Sequence, residues 1–307
     1  MNDSPPATSS WAIVTPSYSG DFDLCRLLCD SMDKFVSGSW HHYIIVERVD
    51  LKLFKPLAGL NRTILIIEDI LPKWIHHLWQ MPFSRRRSLW WSWKTGFMVG
   101  WHIQQLVKMQ MAFVLKQDGL ILCDSDMFFV KPFDVGKLHG ENGFRFYRTD
   151  GEMSEAQISN PKFTLSAFRH LGLPLNGFPA RTYVDSLVVW RSATVRGMCE
   201  HIANISGRDW RAQLGRDVFF SEYTLYGLYV DRVAGLGGFE PTSTHLCRTQ
   251  WQKDGDKPVE VDAFVAHLPE SVVAVAFQSF LNLDHHRLRQ VFDRAVINHT
   301  GSLSTAK

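Results

Sequence analysis

Short apolar runs alternate with amphipathic stretches of helical length over the first 135 residues. Four apolar runs are typical of buried strands, and they cover residues 11–15, 42–46, 63–67 and 119–123. In the stretches 21–32 and 100–115, apolar residues instead recur at helical spacing. Continuous apolar strands that alternate with helices predict an α/β fold, with a mostly parallel central sheet and helices on both faces.

The pattern is less regular beyond residue 135. Apolar runs at 144–147, 186–190 and 263–266 predict strands, and the last of them ends at His267. Helices are predicted over 195–205, 218–228 and 284–296, and a glycine-rich loop over 235–238.

The chain shows no internal repeat and no linker of low complexity, which favours one domain over residues 11–297. We predict a nucleotide- and metal-binding half at 11–135 and an acceptor-binding half at 136–297. Residues 1–10, rich in Ser and Pro, and residues 298–307 are predicted to be disordered.

Composition narrows the function classes. Apolar residues make up 45% of the chain and charged residues 21%, with a formal net charge of +2, which gives no basis for nucleic-acid binding. No apolar run is long enough to predict a transmembrane helix. Five scattered cysteines and the absence of a signal-like beginning predict a cytoplasmic protein.

Two carboxylates directly follow the strand predicted at 119–123. Asp124 and Asp126 flank Ser125, and both leave the sheet at the carboxyl end of that strand, where open α/β sheets bind ligands. Carboxylates at this spacing suit Mn²⁺ or Mg²⁺, which take hard oxygen ligands together with substrate phosphates. The alternative is a pair of aspartates that only caps a turn.

Four motifs carry a resemblance to a known group of enzymes. They are the D-x-D of Asp124 to Asp126, Val14-Thr-Pro-Ser-Tyr18, Trp101-x-x-Gln-Gln-x-x-Lys108 and Phe220-Ser-Glu-Tyr223. With these motifs the chain resembles nucleotide-sugar glycosyltransferases of the GT-A fold, and more narrowly a poorly characterised bacterial family of glycosyltransferase-like proteins. The resemblance implies a GT-A-like, Rossmann-like central sheet and a metal-dependent transfer of a sugar from a nucleoside diphosphate, most commonly UDP.

The same resemblance assigns the donor site. It implies that the turn Thr15, Pro16, Ser17 and Tyr18 binds the nucleotide, beside Ser125 of the D-x-D motif. The acceptor is then a hydroxyl of a saccharide or of a lipid-linked sugar, by analogy in the synthesis of bacterial surface polysaccharide or lipopolysaccharide.

Further polar residues extend this candidate site. Gln104, Gln105 and Lys108 share one helix face, from which Lys108 would meet the diphosphate and the glutamines would bond ribose or sugar hydroxyls. A solvated polar face explains the same spacing. His267, at the end of a predicted strand, is a candidate third metal ligand or a buried structural histidine. The ending Ala266-His-Leu-Pro differs from the H-x-x-G-x-x-K-P-W of retaining family-8-type enzymes.

Two carboxylates are candidates for the general base. Glu222 lies among aromatic residues, and apolar surroundings raise the pKa of a carboxyl group and so make it a better base. Asp185, which precedes the predicted strand 186–190, is the second candidate, or it binds a sugar hydroxyl. A purely structural Glu222 is the alternative, and only an inverting transferase needs such a base.

Segment 74–101 holds six tryptophans together with Arg85, Arg86 and Arg87. We interpret it as a long connection between two buried elements. It would either clamp a phosphorylated substrate or rest the protein peripherally on the anionic inner face of the cell membrane, since Trp favours the bilayer interface. In a third interpretation the tryptophans belong to the core and the arginines are solvated.

Two other functions remain open. A haloacid-dehalogenase-type phosphatase also carries D-x-D after a strand, with the first aspartate, here Asp124, as the nucleophile. Against it, about 120 residues precede the motif, and Phe128 stands where that group carries Thr or Val. The other alternative is a non-catalytic module that binds sugar or lipid on a transferase scaffold.

Overall fold

The computed structural model describes residues 11–80, 88–174, 177–251, 259–278, 281 and 283–305. Over these residues the chain forms the following ten α-helices. They are α1 (Phe22–Phe35), α2 (Leu51–Phe54), α3 (Ile67–Ile70), α4 (Gly100–Val114), α5 (Pro161–His170), α6 (Ser192–Ser206), α7 (Trp210–Leu214), α8 (Glu222–Tyr229), α9 (Val261–Ala266) and α10 (His285–Thr305).

The strands over the same residues are short. They are β1 (Trp11–Pro16), β2 (Val36–Ser37), β3 (Trp40–Val46), β4 (Arg62–Ile66), β5 (His76–Gln80), β6 (Ser88–Ser92), β7 (Gly96–Val99), β8 (Gly119–Cys123), β9 (Met127–Phe129), β10 (Phe133–Asp134), β11 (His139–Gly140), β12 (Gly143–Tyr147), β13 (Leu187–Arg191), β14 (Phe239–Thr242), β15 (Cys247–Gln250) and β16 (Ala274–Phe277).

A five-stranded sheet in the order β13-β8-β1-β3-β4 forms the centre of the fold. Strands β8, β1, β3 and β4 run parallel, and β13 pairs antiparallel with β8. Every residue of β1 and β8 is buried, because parallel strands are covered on both faces. The predicted α/β fold with a mostly parallel central sheet is therefore confirmed.

Helix α4 is more deeply buried than its sequence predicts. Its apolar residues Ile103, Leu106 and Val107 are buried, and so are Gln105 and Lys108 on the face predicted to be polar. The helix packs against β1 on one side and against α6 and α8 on others, which leaves little of its surface to water. Gln105 and Lys108 are therefore polar residues inside the protein and need partners there.

Strands β5, β6 and β7 form a separate antiparallel sheet in that order. They lie in segment 74–101, so the connection between the two buried elements contains three strands that the sequence pattern did not predict. Tryptophans interrupt the apolar–polar alternation here, and the strand signal was masked by aromatic residues on both faces. Arg85, Arg86 and Arg87 lie outside the described residues.

Three predicted elements differ from the structure in type or extent. The run 263–266 is part of helix α9 and is not a strand, since a four-residue apolar run has no diagnostic period. Helix α8 begins at Glu222 and not at residue 218, and α10 continues to Thr305, past the predicted end at residue 296. Among the described residues, no helix is long and apolar enough to cross a membrane.

Candidate functional site

A cavity of about 940 Å³ opens at the carboxyl ends of the parallel strands. Strand β1 ends in this cavity at Pro16, β3 is followed there by Glu47, and β8 by Asp124. This is the edge at which open α/β sheets bind their ligands. The structure brings ten of the predicted site residues to its walls: Pro16, Ser17, Tyr18, Gln104, Gln105, Lys108, Asp124, Ser125, Asp126 and Glu222.

Lys108 contacts both the D-x-D motif, at Asp124, and the candidate base Glu222. Its Nζ lies 2.8 Å from Asp124 Oδ1 and donates to Glu222 Oε1 at 3.0 Å. A third contact, at 2.9 Å, goes to the hydroxyl of Tyr223. An ammonium group has three N–H donors, so Lys108 is fully used within the protein. Lys108 therefore holds two carboxylates together, and its predicted contact with a diphosphate stays a prediction.

Burial and charge act in opposite directions on this network. Burial alone would lower the pKa of Lys108, but Asp124, Tyr223 and Glu222 outweigh it and hold that pKa well above its usual value. Burial raises the pKa of Glu222, against the lowering effect of Lys108, and the neighbouring charge of Asp124 raises it further. Lys108 therefore stays charged, while Glu222 binds a proton more readily than an exposed glutamate.

Glu222 is held in place by its backbone as well as by Lys108. It is 3% exposed and is the first residue of α8, where the hydroxyl of the capping residue Ser221 accepts a hydrogen bond from the Thr224 amide. The Glu222 amide, which a helix start leaves without an intrahelical partner, donates to Gln105 Oε1 at 3.1 Å. Helix α4 thus supplies both Gln105 and Lys108 to fix one carboxylate.

Asp21 is a cavity residue that the sequence pattern did not identify. It immediately precedes α1, at the position of a helix cap, but its side chain makes no capping hydrogen bond. It is 9% exposed, lines the cavity and accepts a hydrogen bond from Ser125 Oγ at 3.2 Å. The middle residue of the D-x-D motif therefore links β8 to the loop after β1.

Glu47 is the second acidic residue that sequence reasoning missed. It follows β3 as Asp124 follows β8, and this position after a buried strand was the signal that could have found it. Its Oε1 accepts a hydrogen bond from the indole N–H of Trp90 at 3.3 Å, and its Oε2 lies 3.5 Å from His77 Nε2. Strand β6 therefore contributes to this wall of the cavity.

Three predicted site residues lie away from the cavity walls. Thr15 is fully buried and bonds His42 Nε2 at 3.0 Å through its hydroxyl. Asp185 is buried beside His245, with 3.4 Å between Oδ2 and Nδ1, and accepts a hydrogen bond from the Ser186 amide. His267 is exposed at the end of helix α9, so the strand that suggested it as a metal ligand does not exist.

The charges around the cavity are mostly negative. Its lining contains five carboxylates, on Asp21, Glu47, Asp124, Asp126 and Glu222. Among the described residues, the cavity walls contain two cationic side chains, Lys108 and Arg181. An anionic ligand bound here would need additional positive charge from another source.

The two D-x-D carboxylates could bind a divalent cation if the substrate supplies further ligands. Both Asp124 and Asp126 face the cavity, and they supply the hard oxygen atoms that Mg²⁺ and Mn²⁺ prefer. No group of three or more His, Cys, Asp or Glu side chains in the described part of the chain is arranged to hold a metal. Two carboxylates with phosphate oxygens and water are a common way to bind Mg²⁺, whereas a closed site made by protein alone needs more ligands.

Comparison with known proteins identifies a family to which no activity is assigned. A family model described as a family of unknown function, DUF6492, matches residues 11–294. No curated protein matches the chain.

Proposed function

The chain belongs to DUF6492, whose description assigns no activity, and we propose from the cavity itself that it is a metal-dependent glycosyltransferase. The donor is a nucleoside-diphosphate sugar, with UDP as the first nucleotide to test. The acceptor is a hydroxyl of a saccharide or a lipid-linked sugar. The GT-A-like character of the central sheet and the cytoplasmic location belong to the same proposal.

One observation carries this proposal. The D-x-D motif, the turn after β1 and the polar side of α4 are far apart in sequence, yet all three line one cavity at the carboxyl ends of parallel strands. The cavity, at about 940 Å³, lies at the upper end of the range for small-molecule sites, which is about 300–1,000 Å³. A nucleotide sugar is among the larger small-molecule ligands and suits a cavity of that volume.

The charge of the cavity supports a metal-dependent reaction. Five carboxylates would repel a diphosphate, and Lys108 is already paired with two of them. Mn²⁺ or Mg²⁺ held by Asp124 and Asp126 would supply the missing positive charge at the leaving diphosphate. The protein's own task is then to position the donor through Pro16 to Tyr18 and to exclude water from the reacting atoms.

Glu222 is the proposed base in this reaction. Its position beside Asp124, through Lys108, places a carboxylate of raised pKa next to the proposed diphosphate site. In the transfer, the acceptor oxygen forms a bond to the sugar carbon as the bond to the diphosphate breaks, and Glu222 takes the acceptor's proton. This assignment predicts an inverting transferase.

Joint binding of nucleotide and metal tests the proposal. A ligand that binds the folded state raises the melting temperature, so UDP with Mn²⁺ should stabilise the protein more than either alone. Asp126→Ala should remove that joint effect. Asp293→Ala, at an exposed aspartate of α10, is the matched control and should retain it.

Three results would count against the proposal. If no nucleoside diphosphate binds with Mn²⁺, the donor assignment is wrong. Equal UDP and Mn²⁺ binding by Asp126→Ala and the parent protein would exclude the D-x-D metal site. Release of orthophosphate from a simple phosphate ester, lost in Asp124→Asn, would favour the phosphatase class.

A further inference from the structure

The sheet of β5, β6 and β7 carries apolar side chains on its outward face as well as on its inward face. Two serines, Ser88 and Ser92, point inward with Trp90 and Met98, and all four are buried. The outward side chains on β6 and β7 are Leu89, Trp91, Phe97 and Val99. An antiparallel sheet with one solvated face normally carries polar residues on it. We call these four residues, with Trp93 at the turn between β6 and β7, the outer aromatic face.

This face is continuous, with Leu89 and Trp91 half-buried and Trp93, Phe97 and Val99 exposed. Leu89 pairs with Val99 and Trp91 with Phe97 across the two strands, so the four side chains form one apolar surface. Trp93 is 70% exposed and Phe97 is 69% exposed. A single exposed apolar residue is ordinary, but a contiguous exposed apolar patch marks a surface that meets another molecule or a membrane.

Cationic side chains border the outer aromatic face. Lys94 Nζ lies 5.0 Å from the centre of the Trp93 ring and 4.7 Å from that of Trp74. The exposed Arg216 donates a hydrogen bond to the backbone carbonyl of Lys94, which keeps its guanidinium beside the β6–β7 turn. The neighbouring acid, Asp217, is paired with Arg169 at 3.0 Å and also bonds His170 and Ser166. The border of the face at the β6–β7 turn is therefore cationic.

A second group of aromatic rings lies at the mouth of the cavity. Trp101 follows β7, is 46% exposed and lines the cavity. Its ring lies 5.8 Å from that of Phe163, another lining residue, and Lys162 lies over the ring of the adjacent Phe219 at 4.9 Å. Aromatic rings with a cationic neighbour are therefore found at the cavity rim as well as on the outer sheet surface.

We propose that the outer aromatic face docks the protein on an anionic bilayer surface. Tryptophan rings are favoured at the level of the lipid headgroups, and cations beside them attract anionic lipids. A protein partner would explain the apolar area, but the positive border and the high Trp content fit a headgroup region better. The inference goes beyond the proposed transferase and does not depend on it, although it would direct the cavity mouth towards the bilayer.

Vesicle sedimentation without nucleotide or metal tests this directly. The parent protein should sediment with vesicles of equal parts phosphatidylcholine and phosphatidylglycerol, and not with phosphatidylcholine alone. The double variant Trp93→Ser, Phe97→Ser should bind the anionic vesicles about tenfold more weakly or worse, because two interfacial aromatic rings are lost. Leu60→Ser, at a fully exposed leucine in the turn before β4, is the control and should bind as the parent does.

Each other outcome would overturn the inference. Sedimentation of the parent with neither kind of vesicle, or with both equally, excludes an anionic bilayer as the occupant. Equal binding by the parent and the double variant places the contact elsewhere. Concentration-dependent self-association that the double variant loses, without vesicle binding, would make the face an interface between protein molecules. The melting temperature of the double variant should match that of the parent, which shows that any loss is not unfolding.

Discussion

The central sheet and the β5–β6–β7 sheet use their apolar residues in different ways. In the central sheet every side chain of β1 and β8 is buried, and the carboxylate Asp124 follows the end of β8. In the small sheet, Trp90 and Met98 are buried with two serines, while the apolar side chains of Leu89, Trp91, Phe97 and Val99 point outward. The small sheet therefore has apolar residues on both faces, one packed on the core and one directed away from it.

The difference shows where each region can tolerate change. A charged side chain at the end of a buried strand is held in a defined position, because close packing on both faces of the strand fixes its backbone. An exposed apolar face adds little to folding, since its residues are not transferred out of water. Substitutions should then affect catalysis or stability in the first region, and association alone in the second.

The largest effect is expected for Glu222→Gln. The variant keeps the shape and the hydrogen bond from Lys108 but cannot accept a proton, so turnover should fall by about 10²–10⁴-fold, the usual size of a general-base contribution. Binding of UDP with Mn²⁺ should be retained. Steady-state transfer and thermal shift on the same preparation check both statements. Unchanged turnover would leave Glu222 structural and would favour a retaining reaction, which needs no such base.

The pH profile gives a second measurement on the same residue. A carboxylate base works only when ionised, and burial raises the pKa of Glu222. Turnover should therefore rise with pH through a pKa above the ordinary value of about 4.3 for glutamate. This rise of turnover with pH should be absent from the residual activity of Glu222→Gln. If the variant shows the same rise with pH, the rise reports the ionisation of another residue.

Much of the fold could be predicted because its signals are local. The strands that became β1, β3, β4 and β8 are apolar runs of a length that suits a covered sheet, and α1 and α4 repeat at helical spacing. The strand predicted at 263–266 is wrong because four apolar residues fit a helix or a strand equally well. The strands β5 to β7 were not predicted because apolar and polar residues do not alternate regularly along them.

The candidate site was predictable only in part, for a physical reason. A D-x-D at a strand end can be seen in sequence, and so can the spacing of Gln105 and Lys108. What sequence cannot give is the pairing of groups from distant elements. The contact of Lys108 with Glu222 spans 114 residues, and that of Ser125 with Asp21 spans 104. The contact of Lys108 with two carboxylates was therefore not predictable from its spacing on the helix.

A large loss of stability is expected when Lys108 is removed. Lys108→Met keeps the volume but leaves Asp124 and the buried Glu222 without their shared cation, and breaking a buried ion pair costs about 3–5 kcal/mol. Urea denaturation measures this loss. Lys137→Met, at an exposed lysine, is the control and should change the free energy of unfolding by less than about 0.5 kcal/mol.

A double variant separates charge from packing in this network. Adding Glu222→Gln to Lys108→Met removes the charge that was left unpaired, so the combined loss should be smaller than the sum of the two single losses. Additive losses would mean that Lys108 and Glu222 do not interact as their 3.0 Å separation indicates.

The smallest effect, and the sharpest test of the comparison between the two sheets, is expected at the outer aromatic face. Leu122→Ala, in the fully buried β8, should lower the free energy of unfolding by about 2–5 kcal/mol, because it removes packed apolar volume and leaves a cavity. Phe97→Ser removes a larger side chain, yet it should change that free energy by less than about 0.5 kcal/mol, since the ring is 69% exposed. Parallel urea titrations compare the two. If Phe97→Ser costs as much as Leu122→Ala, the ring is packed in solution and the face is part of the core. If it costs nothing while vesicle binding falls, the ring contributes to association and not to folding.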